Sequence, residues 1–191
     1  IANWRVVPML TPNRWRNIVM TAWVDALKES SIPDYAKDTK LNIDAVIKRS
    51  TLPVEEAEAV ALAAAFATGN SKLWTWMESQ IENKTETQAA LTAGALMAQN
   101  NMWYPFVEMA DDENLKGLPA QLRMNAITTS GGTTKERFEA YSLAASIVGK
   151  CHFCVKAHYE GLKKMGYTVE QLRDIGRIAS VINSVAKVVA N

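Results

Sequence analysis

The sequence predicts an all-α protein, and three observations carry that expectation. From Met20 onward apolar residues recur at helical spacing, the segments end at capping residues, Gly or Pro, and no stretch reads as a β-hairpin. Met20 opens a first helix, Met-Thr-Ala-Trp-Val-Asp-Ala-Leu-Lys. Pro53 suits a first helical turn, and Glu55 and Glu56 favour the helix dipole, so 54–67 is predicted as an alanine-rich helix burying Val60, Leu62, Ala63 and Phe66. Gly69-Asn70 closes it, and Ser71–Gln80 forms the next helix. Thr85 or Thr87 opens a long helix that Pro105 is expected to interrupt after Trp103. Pro119–Ile127 is predicted as a short helix and Ser130-Gly131-Gly132 as a turn. Thr134 caps Lys135–Val148, ended by Gly149, which places Cys151 in the first turn of the following helix. Helices over 151–165 and 168–189, separated by Gly166, complete the chain.

A short internal similarity suggests that a helical unit is duplicated. Glu58-Ala-Val-Ala-Leu-Ala-Ala64 matches Glu139-Ala-Tyr-Ser-Leu-Ala-Ala145 at five of seven positions, at an offset of 81. Continued at that offset, Asn70, Leu73 and Met77 fall opposite Cys151, Cys154 and His158. The expected organisation is one helical domain over 20–191, with pseudo-repeats at about 20–110 and 111–191. Residues 1–19 differ in character: three arginines, no acidic residue, two prolines and no h-region with a cleavage site. They read as an N-terminal extension, native or artificially added, with Met20 as the ancestral start.

Composition excludes several classes of function. Of 191 residues 48% are apolar and 21% charged, which suits a soluble globular chain rather than a disordered one. Twenty-one Lys and Arg against 20 Asp and Glu leave a net charge of +1, with no electrostatic case for nucleic acid or an acidic membrane. Every apolar run is broken by charged or amide residues before reaching membrane-spanning length. The six tryptophans and eight methionines read as core, packing and subunit-contact residues.

The chemistry concentrates in eight residues. The only two cysteines, Cys151 and Cys154, and the only two histidines, His152 and His158, lie in Cys-His-Phe-Cys-Val-Lys-Ala-His. A disulfide across so short a loop removes little unfolded-state entropy, so a redox or metal role outweighs a structural staple and a cytoplasmic setting is expected. No second ligand cluster exists for zinc, and no metal is expected. Cys151, Cys154 and His158 are spaced i, i+3 and i+7 and share a helix face. A helix start favours the thiolate at Cys151, and one thiolate can attack a peroxide or disulfide while the other resolves the product. His158, one turn beyond Cys154, is placed to take its proton. Glu139 is the candidate carboxylate to orient His158 if the two helices pack antiparallel, with Glu136 and Glu160 expected to face solvent.

Glu139, eleven residues and then Cys151-x-x-Cys154-x-x-x-His158 resembles the alkyl hydroperoxidase D family, part of the carboxymuconolactone decarboxylase-like group. The likeness runs from about Met20 to the end and includes Pro33–Asn42 and Leu122-Arg123-Met124-Asn125. It implies an all-helical fold with an internal duplication, assembled as a homotrimer or larger ring. It also implies a lipoyl-dependent peroxidase with no tightly bound cofactor. Dihydrolipoamide on a 2-oxo acid dehydrogenase component would reduce the disulfide. The dithiol would then reduce an alkyl hydroperoxide, or regenerate a peroxiredoxin of the alkyl hydroperoxide reductase C type. By position, Cys154 is similar to the peroxidatic cysteine and Cys151 to the proton donor and resolving thiol, with Glu139 and His158 as the proton relay.

One departure stands out. Members of the family place a histidine directly before the second cysteine, where this chain has Phe153, while His152 lies one residue earlier and about 100° around the helix. An altered rate or substrate preference is expected, with the core mechanism kept. Two other functions fit parts of the sequence: a redox sensor or protein-binding relative with little turnover, and a lactone decarboxylase-like enzyme, which would need no thiols.

Overall fold

Two alanine-rich helices that bury nearly every face form the centre of the molecule. The computed structural model describes residues 21–30 and 32–189. Ten α-helices follow in order: α1 (Ala22–Ser30), α2 (Lys37–Lys48), α3 (Val54–Ala67), α4 (Ser71–Gln80), α5 (Lys84–Ala110), α6 (Glu113–Lys116), α7 (Ala126–Thr129), α8 (Lys135–Gly149), α9 (His152–Lys164) and α10 (Val169–Val188). Short 3-10 turns cover Asp34–Ala36 and Ser130–Gly132, and there is no strand among the described residues. The fold is all-α, as the sequence predicts. No helix among the described residues is long and apolar enough to cross a membrane.

Helix α3 is buried from Glu56 to Ala65, and α8 buries Phe138, Tyr141, Leu143 and the alanines around them. An alanine surface lets neighbouring backbones approach, so α3, α5 and α8 pack mutually around one core, and α10 packs against α3 and α8. The close crossing of α5 on α3 depends on Gly94, where a Cβ would lie 2.8 Å from the Phe66 ring. Helix α10 turns Leu172, Ile175, Ile178, Ile182 and Val185 inward, the i, i+3, i+7 stripe of an amphipathic helix. It starts with a capping box between Thr168 and Gln171. Its buried Asp174 accepts hydrogen bonds from the amide and hydroxyl of Thr51 at 2.8 and 2.9 Å, and from Arg177 at 3.0 Å. Burial works against its charge, but these donors outweigh burial and hold the carboxyl below its usual range.

The 81-residue offset recurs in the element boundaries. Helix α3 starts at Val54 and α8 at Lys135; α4 starts at Ser71 and α9 at His152. Asn70 caps α4 by accepting the Leu73 amide, and Cys151 caps α9 by accepting the Cys154 amide.

Several boundaries differ from the sequence expectation. The long helix opens one residue before Thr85, at Lys84 capped by Asn83, and continues through Pro105 to Ala110. A proline costs its helix the bond to the fourth residue back, here Asn101, but one lost bond does not stop a helix already propagated and anchored by its buried half. Residues 119–125 are not helical, and α7 is a single turn starting at Ala126. Gly149 is the last helical residue of α8, and Lys150 takes the left-handed conformation that ends it (φ 56°). Cys151 is consequently the N-cap of α9 rather than a member of its first turn. The first helix begins at Ala22, while Met20 and residues 1–19, with the expectations attached to them, lie outside the described residues.

Candidate active site

The corner between α8 and α9 sets the position of both cysteines. The Lys150 amide bonds to the carbonyls of Ile147 and Ser146, and the Cys151 amide bonds to Ser146 O at 3.3 Å. This Schellman-type ending turns the chain sharply back, so that α9 packs on α8. The cap position usually goes to glycine; here glycine is needed one residue earlier. A Cβ on Gly149 would lie 2.2 Å from Asn101 Nδ2, which donates to Ala145 O at 3.2 Å.

Cys151 and Cys154 are joined in a disulfide with their Cα atoms 5.3 Å apart. Both are buried, at 0% and 3% exposure. The Cys154 amide donates to Cys151 Sγ at 3.2 Å, so a backbone N–H and the positive end of α9 both face that sulfur. Cys154 Sγ lies 3.8 Å from the carbonyl oxygen of Asn100, which can accept from a reduced thiol.

His158 follows Cys154 by one turn on the buried side of α9 and is 8% exposed. Its Nδ1 lies 2.6 Å from Glu139 Oε2, a contact across the α8–α9 packing. A carboxylate only accepts, so Nδ1 carries the proton in this pair. The other ring nitrogen, Nε2, is 3.2 Å from Met97 Sδ. Of the rival acids, Glu136 and Glu160 are exposed. His152 is also exposed and lies on the side of α9 away from His158.

The structure adds a wall that spacing arguments do not reach. Met97, Asn100 and Asn101 follow one another at helical spacing on α5 and meet α8 and α9 at His158, Cys154 and Gly149. The available signal is the run of three amide residues, Gln99-Asn100-Asn101, in an otherwise apolar part of a long helix. Asn101 Oδ1 and Ser146 Oγ are buried with no hydrogen-bond partner among the described residues.

A second polar cluster crosses the other end of α8. Glu86 of α5 accepts from Arg137 Nη1 at 2.6 Å, from Thr133 Oγ1 at 2.9 Å and from the Tyr141 hydroxyl. Glu56 of α3 accepts from the Tyr167 hydroxyl at 2.5 Å and lies 4.0 Å from Arg137 Nε. Burial raises the Glu56 carboxyl above its usual range despite the tyrosine. Glu58, the counterpart of Glu139 at the 81-residue offset, is 1% exposed and accepts from Trp23 Nε1 at 2.9 Å. Burial pushes its carboxyl up to about 7.

Beside the disulfide lies a cavity of about 640 Å³. Its lining includes His152 and Phe153, the two residues between the cysteines. Phe153 is 54% exposed and stacks on Tyr104 with ring centroids 4.5 Å apart.

The chain is similar to known proteins along most of its length. The carboxymuconolactone decarboxylase family profile matches residues 114–190. The alkyl hydroperoxide reductase AhpD of Coxiella burnetii is 39% identical over 167 residues, 84% of this chain and 93% of its own. That of Maricaulis maris is 36% identical over 170 residues, 87% of this chain and 97% of its own. That of Rhodospirillum centenum is 38% identical over 168 residues, covering 86% and 89%. With the Cys151–Cys154 pair in place and this similarity along most of its length, the chain belongs to the alkyl hydroperoxide reductase AhpD family, within the carboxymuconolactone decarboxylase group.

Proposed function

We propose that the protein is a dithiol peroxidase that reduces alkyl hydroperoxides, or regenerates a peroxiredoxin of the alkyl hydroperoxide reductase C type, with electrons from dihydrolipoamide. The observation that carries this reading is the disulfide-forming pair Cys151–Cys154 on the same helix as a histidine held 2.6 Å from a carboxylate. Such a set can make a thiolate, accept its proton and store two electrons.

In this scheme the Cys154 thiolate attacks the distal peroxide oxygen, the O–O bond breaks, and sulfur is oxidised to a sulfenic acid. The leaving alkoxide takes a proton and departs as the alcohol. The Cys151 thiol then gives up its proton as its sulfur attacks the Cys154 sulfur, and that proton joins the departing hydroxyl, so the disulfide forms and water leaves. His158 takes the Cys154 proton at the start, and Glu139 holds the imidazole with Nδ1 protonated, so that Nε2 carries the free lone pair. The dithiol of a dihydrolipoyl group on a 2-oxo acid dehydrogenase component then reduces the disulfide and becomes the cyclic disulfide. The Cys154 amide on Cys151 Sγ supports the thiolate that this last exchange releases.

The assembly is proposed to be a homotrimer or larger ring. The two halves, about 20–110 and 111–191, are proposed to descend from one duplicated helical unit. The matched starts of α3 with α8 and α4 with α9, and the matched caps Asn70 and Cys151, support that descent. Only the second half carries the thiols.

The test is the rate at which dihydrolipoamide reduces the oxidised protein, compared with glutathione and reduced thioredoxin. Fast, selective reduction by dihydrolipoamide supports the reading. Equal or absent reduction by all three contradicts the lipoyl link and favours a redox sensor.

A further inference from the structure

The cavity beside the cysteines has a shape and charge that the dithiol chemistry alone leaves unused. His152 and Phe153, which sit between Cys151 and Cys154, form part of its lining, so the cavity abuts the Cys-x-x-Cys turn while the two buried sulfurs lie behind it. A volume of about 640 Å³ far exceeds what hydrogen peroxide or a short alkyl hydroperoxide occupies, and falls in the range that holds ligands of lipid or drug size. Its lining combines Trp103 and the stacked Tyr104–Phe153 pair with the aliphatic Val107, Leu115 and Leu118, and Phe153 sits between the two cysteines.

The charged groups in the lining are unequal. Lys116 is neutralised by Asp111 at 2.8 Å and Glu113 at 2.7 Å. Lys156, one turn along α9 from His152, is exposed and has no carboxylate partner among the described residues. Among the described residues, Glu108 of α5 is the one carboxylate in the lining. The cavity therefore offers a long apolar body a surface, and offers an anion one available ammonium on α9.

We propose that this cavity is a specificity subsite for an organic hydroperoxide with a long apolar body and a carboxylate, a fatty-acid hydroperoxide in class. The body lies against Phe153 and Tyr104, and the carboxylate is held at Lys156, away from Glu108. The proposal rests on the peroxidase reading above and names the substrate class of that same site. The chemistry is that of the peroxidase cycle: the peroxide O–O bond breaks, Cys154 is oxidised to the sulfenic acid, and the organic product is the corresponding hydroxy acid. Phe153 and Lys156 act here as specificity residues, touching the organic body and its head group rather than the reacting oxygens.

The test compares linoleic acid hydroperoxide with its methyl ester, the same body without the charge, using a dithiol donor and tert-butyl hydroperoxide as a small neutral reference. The free acid is expected to have the higher kcat/KM, by about fivefold, the worth of one solvent-accessible ion pair. Lys156→Gln should bring the acid-to-ester ratio to near one by raising KM for the acid. Glu108→Gln should increase the ratio. Phe153→Ala should raise KM for acid and ester together. Added salt should lower the ratio in the parent protein and leave it unchanged in Lys156→Gln. If tert-butyl hydroperoxide is reduced but acid and ester are turned over alike, and Lys156→Gln alters neither, the subsite proposal is overturned while the peroxidase reading stands. If no hydroperoxide is reduced, the peroxidase reading falls and the proposal with it. A Lys156 effect seen only on reduction by a lipoyl-bearing protein would mean that the charge serves a partner's acidic surface, which also overturns the proposal.

Discussion

Glu139 Oε2 lies 2.6 Å from His158 Nδ1, so the imidazole beside the cysteine pair is fixed in one tautomer by a carboxylate from the preceding helix. Removing either partner should slow thiolate formation without unfolding the protein, since neither group fills the apolar core. His158→Phe is expected to lower hydroperoxide turnover by about a hundredfold, the usual worth of a positioned proton acceptor. Glu139→Gln should cost about tenfold, because the amide can still touch the ring but cannot support its charged form. Thiol alkylation rates across pH check both: the two profiles should shift to higher pH. Unchanged profiles and turnover in His158→Phe would remove the proton-relay assignment.

Gly149 and Asn101 form a steric lock behind Cys151. Gly149→Ala puts a methyl group 2.2 Å from Asn101 Nδ2, so Asn101 must leave its bond to Ala145 O. A loss of about 2 kcal/mol in unfolding free energy is expected from overpacking at this site. Pairing it with Asn101→Ala removes most of the clash, so the double variant should be more stable than the sum of the single changes predicts. Chemical denaturation of the four proteins measures the coupling, and strict additivity would contradict the lock.

Glu58 supplies a pH dependence of stability with a definite sign. Its folded carboxyl is raised to about 7, above the ordinary value of 4.5, by burial first and then by nearby Glu55 and Glu82, against the Trp23 hydrogen bond. Between those two values the unfolded chain gives up its proton while the folded protein keeps it. Stability from this group is therefore full below about 4.5 and falls as pH rises towards 7, by up to about 3 kcal/mol. Glu58→Gln keeps an acceptor for Trp23 and removes the titration. Its Tm should exceed that of the parent at pH 8 and match it near pH 4.5. The same difference at both pH values would show that Glu58 does not titrate in this window.

Arg137 is held between two buried carboxylates, Glu86 at 2.6 Å and Glu56 at 4.0 Å. Burial opposes its charge, but the bond to Glu86 and the surrounding acids more than compensate and raise its pKa. Arg137→Met leaves both acids uncompensated and should cost about 3 kcal/mol at neutral pH. The deficit should shrink on acidification, as Glu56, already raised by burial, takes up a proton. Thermal melts of the variant at neutral and mildly acidic pH measure this, and a deficit independent of pH would contradict it.

Where local chemistry sets a boundary, the boundary is legible. Pro53 and the Gly69-Asn70 pair bracket α3 and open α4, and the structure has Val54–Ala67 and Ser71–Gln80 there. Boundaries set by tertiary packing are not. Pro105 is a breaker by local rules, yet α5 continues through it because its preceding turns are buried between α3, α8 and α9. Gly149 reads as a helix terminator, whereas its missing side chain makes room for Asn101, and Lys150 takes the strained position. Within the site, Cys151, Cys154 and His158 are local in sequence and can be read from one helix. The Glu139 contact needs the α8–α9 angle, and the approach of Met97 and Asn100 needs the whole α5 packing, neither of which spacing contains.

The most direct measurement is steady-state reduction of tert-butyl hydroperoxide with dihydrolipoamide as donor, comparing the parent protein with Cys154→Ser and Cys151→Ser. The account predicts robust turnover in the parent and none in either variant. It also predicts that Cys151→Ser, after one exposure to peroxide, carries a trappable sulfenic acid on Cys154. Turnover that survives Cys154→Ser, or a parent protein whose disulfide is reduced by dihydrolipoamide yet never reoxidised by hydroperoxide, would contradict it.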